Sequence, residues 1–303
     1  MSDINVAITK EEIEEDDIPQ QIISKINKKI NIITLPTIIT IPIYSKDIAN
    51  SIKKIENGFY DYYIFLSARS VDIFFKTIKN EKNSSNILQE ILKINKKNGT
   101  FIAIGPKTKK ALEKNNLKAN IAITDTVNTN IDIKVEFSLH SIMKFLDNLD
   151  KNNEKEKIKI LMPRSAESQK SNNFIKKTYE NLVLEQIFFY KTIEFNKIEE
   201  SNEWNKFKSL VYQKELKYLI FTSPSAVRAF FKIVVNSIYV EKQVLLSTIK
   251  NEQELVHFLG IKLIISLGPR TSEELKKRDI MYLESTEYTV KGALKYLIRN
   301  LAF

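Results

Sequence analysis

The chain has no cysteine in its 303 residues. Disulfides, thiolate metal sites and a cysteine nucleophile are excluded with it. Histidine is nearly absent: His140 and His257 stand alone, and neither lies in a metal-ligand spacing. Glycine occurs six times and forms neither a Walker loop nor a dinucleotide fingerprint, so ATP and NAD find little support. No G-x-S-x-G elbow, H-E-x-x-H helix or placeable pair of catalytic carboxylates occurs. The longest apolar run, residues 32 to 44, holds two prolines and is too short to span a bilayer. The opening MSDINVAITKEEIEEDD is acidic where a targeting peptide would be basic. Together these absences predict a soluble protein in a reducing, cytoplasmic setting, with no membrane span and no thiolate or His-rich metal site.

What is abundant is lysine. The formal net charge is +10, which raises the question of nucleic acid. The lysines are scattered, however, and lysine, asparagine and isoleucine are inflated together. There is no aromatic RNA-binding stripe, zinc-finger spacing or concentrated basic arm. No nucleic-acid partner is expected, and a surface that gathers a small polyanion fits the charge equally well. Arginine is the rarer cation, with six residues. Four of them, Arg69, Arg164, Arg228 and Arg270, lie in or beside the junction motifs described next. A planar fork suits carboxylates where an ammonium does not.

The chain says nearly the same thing twice. YIFLSARSVDIFF surrounds Ser67 and YLIFTSPSAVRAFF surrounds Ser223, 156 positions later. FIAIGPKTKKAL is answered by LIISLGPRTSEEL, with Gly268 lying 163 positions after Gly105. Two unrelated motifs recurring in one order argue for a duplicated α/β unit. Strand-like runs (4–9, 31–35, 61–67, 99–105, 120–124, 157–163, 217–223, 262–268, 280–284) alternate with helical ones. Helices are predicted over 17–30, from 70, over 107–115, 138–149, from 164 to 181, over 224–235, 269–278 and 289–301. This alternation predicts parallel sheets covered by helices. Two long β-rich runs, 37–45 and 182–195, flank the first copy and suggest paired connectors. The residues at 4–35 would then complete the C-terminal copy. The predicted architecture is α/β: two three-layer domains with parallel sheets, a two-strand connector and a ligand cleft. One domain is discontinuous (1–38 plus 192–303), the other is inserted (44–184), and 39–43 with 185–191 connect them.

Ligands of open α/β sheets bind beyond the carboxyl ends of the strands. Those ends carry Thr9-Lys10, Ser67-Ala-Arg69-Ser70, Gly105-Pro-Lys-Thr108, Pro-Arg164-Ser165, Thr222-Ser223-Pro-Ser225 and Gly268-Pro-Arg270-Thr271. Each is expected to open a helix, offering backbone N–H donors and hydroxyls to anionic groups. The same residues also serve as ordinary helix caps, and that reading stays open for any single junction. Tyr190, in the second connecting run, could act as a proton donor, hold an anion, or simply pack.

The ordered set of AITK, FLSARSVDIFF, IAIGPKTKKAL, ILMPRSAES, IFFYKTIEF, IFTSPSAVRAFF and ISLGPRTSEEL resembles the uroporphyrinogen-III synthase family over nearly the whole chain. The resemblance implies a cofactor-free lyase that closes linear hydroxymethylbilane to uroporphyrinogen III with inversion of the last pyrrole ring. The substrate would carry eight carboxylates. Loss of its terminal hydroxyl would give an azafulvene cation, and a spiro intermediate would follow. Tyr190 matches the tyrosine proposed as general acid, and Ser67, Thr108, Thr222, Ser223 and Thr271 would contact the carboxylates. Thr9, Lys10, Arg69, Ser70, Gly105, Arg164, Ser165, Ser225, Gly268 and Arg270 complete the expected binding set. Lys10 stands where arginine is frequent, Arg69 where a small residue is, and the 236–256 segment is long. A monomer is expected. A two-lobed binding protein for an anionic small molecule, without turnover, is the competing reading.

Overall fold

The computed structural model describes residues 3–24, 29–96, 100–122, 138–152, 157–170, 174–195, 198–241 and 249–301. Parts of the expected 17–30 helix, 99–105 and 120–124 strands, 164–181 helix and 236–256 segment lie outside these residues. The chain divides into two compact units, Met1–Ile39 with Ile193–Phe303, and Thr40–Thr192.

Eleven strands are described: β1 (Ile4–Ile8), β2 (Ile30–Thr34), β3 (Ile38–Pro42), β4 (Tyr62–Phe65), β5 (Phe101–Ala103), β6 (Asn120–Ile121), β7 (Ile158–Ser165), β8 (Leu182–Glu194), β9 (Leu216–Phe221), β10 (Leu263–Ser266) and β11 (Leu283–Glu284). The first unit holds a sheet in the order β11-β10-β9-β1-β2, with every described pairing parallel. The second sheet runs β3-β8-β7-β4-β5-β6. Its β4–β8 pairings are parallel. The edge strand β3 is antiparallel to β8: Ile43 N–H donates to Phe189 O, while Phe195 N–H donates to Thr37 O.

Apart from β3 the two sheets share one topology, cyclically permuted. In the second, β4, β5 and β6 run outward one way and β7 and β8 the other. In the first, β9, β10 and β11 take the place of β4–β6, and the N-terminal β1 and β2 take the place of β7 and β8. The fold is thus the expected α/β pair of parallel sheets, one built from a discontinuous segment, with one mixed edge.

The central strands bury both faces, so their residues divide alternately between two cores. Tyr63 and Phe65 of β4 face one core with the helices Lys46–Glu56, Ala68–Lys79 and Ser84–Asn95. Ile64 faces the other, with Ile142 and Leu146 of the helix Leu139–Lys151. In the first sheet, Leu219 and Phe221 of β9 pack with Trp204, Phe207 and Phe230. Ile220 meets Leu294 and Leu297 of the helix Val290–Leu301 on the opposite face.

Two expected helices are corrected. The helix at 17–30 shrinks, among described residues, to Gln20–Ile23. Lys29 already accepts a bond from Ile4 N–H at 2.8 Å, so the chain has joined the sheet by then. The helix from 164 to 181 is replaced by continuation of β7 to Ser165 and a short 3-10 turn, Ala166–Lys170. Side chains claim the backbone beyond it. Gln186 bonds both Ile175 N–H (3.2 Å) and Ile175 O (2.8 Å), and Asp150 accepts from Asn181 N–H at 2.7 Å.

Four further helices were not expected: Lys46–Glu56, Ser84–Asn95, Asn202–Tyr212 and Glu252–Phe258. Three start at side-chain caps, with Ser45, Ser201 and Asn251 accepting from Ile48, Trp204 and Glu254 N–H. Ile48, Ile52 and Ile55 of the first, and Ile87, Ile91 and Ile94 of the second, keep the i, i+4, i+7 spacing of an amphipathic helix, a signal the sequence does carry.

Candidate active site

Each sheet has a point where the chain's outward direction reverses, and there the crevice beyond the strand ends opens. In the second sheet this lies between β4 and β7. Ser67 ends β4 and caps the helix Ala68–Lys79, its Oγ accepting from Ser70 N–H at 3.0 Å. Ser70 is buried and donates back to Ser67 O at 2.6 Å. The Tyr190 hydroxyl lies 3.4 Å from Ser67 Oγ.

Tyr190 reaches that place through a β-bulge. Arg164 pairs with Phe188, but the next residue, Ser165, pairs with Tyr190, leaving Phe189 as an extra residue in β8. Neighbours on a regular strand point to opposite faces. Here Phe189 and Tyr190 pack into the same core. Bulges re-aim side chains in this way. Tyr190 is 8% exposed, and burial pushes its phenol above the ordinary value. The Ser67 hydrogen bond and the Arg69 and Arg164 charges pull it partly back, while Glu167 opposes them.

Arg164 is 3% exposed. Its guanidinium lies against Met162 Sδ and donates to Gln186 Oε1 at 3.1 Å, and desolvation lowers its pKa. It therefore clamps β7 to the 174–181 segment through Gln186. Arg69 is exposed, and Ser165 is half-buried beside Glu167.

In the first sheet the reversal lies between β1 and β9. Thr9 and Thr222 end these strands and bond reciprocally. Thr222 Oγ1 donates to Thr9 O at 2.5 Å, Thr222 N–H donates to Thr9 Oγ1 at 3.0 Å, and Thr9 Oγ1 donates to Ile220 O at 3.3 Å. Lys10 is ion-paired with the buried Asp17. Ser223 caps the helix Pro224–Glu241, accepting from Ala226 N–H at 3.2 Å, with Ser225 Oγ 3.1 Å away. Thr9 and Lys10 lead into a loop and the 3-10 turn Glu15–Asp17. With the Arg164 junction lying inside β7, four of the six expected junctions open α-helices.

The two Gly-Pro junctions match. Gly105 and Gly268 are extended caps without side-chain capping bonds, and proline opens each helix, Pro106–Glu113 and Pro269–Lys276. Thr108 and Thr271, in their first turns, are both buried, and Arg270 is exposed. At Gly268 the missing side chain matters: a Cβ there would lie 3.2 Å from Cδ1 of Tyr288. Tyr288 escapes sequence reasoning because it stands in a short polar stretch with no period of its own.

Among the described residues no group of three or more His, Asp or Glu side chains is arranged to hold a metal, and no helix is long and apolar enough to cross a membrane. The strand ends offer hydroxyls, helix N-termini and one buried phenol: donors for anions and one candidate acid.

Comparison with known proteins gives a specific frame for these features. The family model for uroporphyrinogen-III synthase HemD matches residues 20–295. Nothing matches among curated proteins. The fold is similar to that of uroporphyrinogen-III synthetase from Helicobacter pylori 26695, at 14% identity and TM-score 0.52, covering 99% of this chain and 100% of that one. A mutant uroporphyrinogen III synthase from the extremely thermophilic bacterium Thermus thermophilus matches at 13% identity and TM-score 0.46, with 99% of each chain covered.

Proposed function

The chain belongs to the uroporphyrinogen-III synthase family, the hydroxymethylbilane hydro-lyases, and from that premise we propose which of its residues perform the cyclisation. Tyr190 is the proton donor. Ser67, Ser70, Gly105, Thr108, Ser223, Ser225, Gly268, Arg270 and Thr271 bind carboxylates of hydroxymethylbilane. Thr9 and Thr222 hold the strand ends that carry this machinery, and Arg164 and Lys10 support it from buried contacts.

The observation that carries the reading is the bulge that turns Tyr190 onto Ser67 at the reversal point of its sheet. A phenol raised by burial keeps its proton at neutral pH and can give it to a departing hydroxide. The C–O bond then breaks to water, an azafulvene cation and a tyrosinate. The cation is attacked by the substituted carbon of the terminal pyrrole, giving the spiro intermediate. That species fragments and recombines with the ring inverted, and the proton lost on closure returns to Tyr190. Helix N-termini and hydroxyls hold the carboxylates so that this closure outruns the plain one, which is catalysis by positioning.

The test is direct. Purified protein given hydroxymethylbilane is expected to yield the III isomer. Formation of the I isomer alone, at the spontaneous rate, overturns the reading and leaves a binding protein in its place.

A further inference from the structure

Tyr288 is 63% exposed, yet the turn that carries it is tightly held. Ser285 is buried; its N–H donates to Ser266 O at 3.0 Å, tying the turn to β10, and its hydroxyl donates to Glu287 O at 2.6 Å. Thr289 N–H donates to the same carbonyl at 2.7 Å. Lys295 pairs with the Glu287 carboxylate at 3.1 Å. Gly292 leaves room for the turn: a Cβ there would collide with Glu287 Cβ and lie 2.6 Å from Glu287 O. One edge of the Tyr288 ring rests on Gly268, the residue that opens the helix Pro269–Lys276.

A large ring left in water gains nothing from such fixing unless something covers it. An aromatic side chain loses little entropy on binding and presents a broad π face. We propose that Tyr288 is a substrate-contact residue: its ring stacks on a pyrrole of the linear tetrapyrrole and helps select the inverted product. This rests on the reading that the chain binds hydroxymethylbilane at these strand ends. The seat on Gly268 places the ring beside the Gly268-Arg270-Thr271 donors. One end of the substrate would then meet a π surface and carboxylate donors together.

The experiment compares Tyr288→Ala and Tyr288→Phe with the unaltered chain, measuring KM, kcat, the III-to-I product ratio and Tm. The alanine variant is expected to raise KM roughly 2- to 10-fold, as loss of one aromatic pair implies, and to form more of the I isomer, with Tm unchanged. Phenylalanine is expected to restore both. An alanine variant with unaltered KM and product ratio overturns the proposal, as does a phenylalanine variant as impaired as alanine. In those cases the unaltered chain still makes the III isomer, so the functional reading survives. Failure of the unaltered chain to make it is the separate result that removes that reading.

Discussion

Thr222 donates its hydroxyl to the carbonyl of Thr9 at 2.5 Å, while Thr9 Oγ1 accepts from the backbone N–H of Thr222 at 3.0 Å. The two residues are 213 positions apart and join β1 to β9 where the sheet changes direction. Thr222→Val keeps the shape and removes the hydroxyl donor to Thr9 O. It is expected to cost about 1–3 kcal/mol and to lower Tm by several degrees, whereas Thr222→Ser should stay close to the unaltered chain. Thermal unfolding followed by circular dichroism decides this. Equal Tm values for all three would mean that the clasp contributes nothing.

Tyr190→Phe removes one hydroxyl at 3.4 Å from Ser67 and leaves the ring in its core. The Tm should hold within a few degrees while kcat falls roughly 100-fold or more, the usual scale for a lost proton donor. In the unaltered chain, any alkaline loss of rate caused by Tyr190 should lie above pH 10, the ordinary tyrosine value, because burial raises this phenol. A phenylalanine variant with full kcat would make Tyr190 a packing residue.

Thr271→Val tests the first turn of the helix Pro269–Lys276. Thr271 N–H bonds Gly268 O at 3.0 Å and is unaffected by the change. If the hydroxyl contacts a carboxylate, KM should rise about 10-fold with little change in Tm. Unchanged KM would assign Thr271 to the helix alone.

Tyr60 and Tyr63 make stability depend on alkaline pH. Burial is the largest cause raising both phenols, aided by the Glu185 hydrogen bond at Tyr60 and by the Glu90 and Asp61 charges near Tyr63. Tyr179 is pushed up to about 12, again chiefly by burial. Below pH 10 these phenols are protonated whether the chain is folded or not. Above it, the unfolded chain releases protons that the folded chain retains, so stability falls as pH rises. The Tm should therefore be flat to about pH 9 and fall beyond pH 10. The Tyr63 hydroxyl is buried without a hydrogen-bond partner among the described residues. Tyr63→Phe should thus be neutral or slightly stabilising at pH 7 and should soften the alkaline fall. A clear loss of stability at pH 7 would show that the hydroxyl is satisfied after all.

The strand ends were legible because a short β-branched run followed by Ser, Thr or Gly-Pro is a local pattern, and here it occurs twice. The junctions at Ser67, Gly105, Ser223 and Gly268 open helices as their residue types dictate. The Arg164 junction misled because its helix signal is local, whereas Gln186 and Asp150 bind that backbone from elsewhere in the fold. The helix Lys46–Glu56 was legible as well, since Ile48, Ile52 and Ile55 keep the i, i+4, i+7 spacing behind a Ser45 cap. Tyr288 carries no local sign of its seat, since Gly268 lies 20 positions earlier.

By itself the sequence determined the alternation of strands and helices, the duplicated junctions and the family, because each is written in contiguous residues. Tertiary structure decided which of those residues meet. Thr9 reaches Thr222 because β1 is inserted beside β9, and Tyr190 reaches Ser67 because one extra residue in β8 shifts its register against β7. Pairing and register are set by how whole strands bury both faces, and no short stretch of chain carries that information.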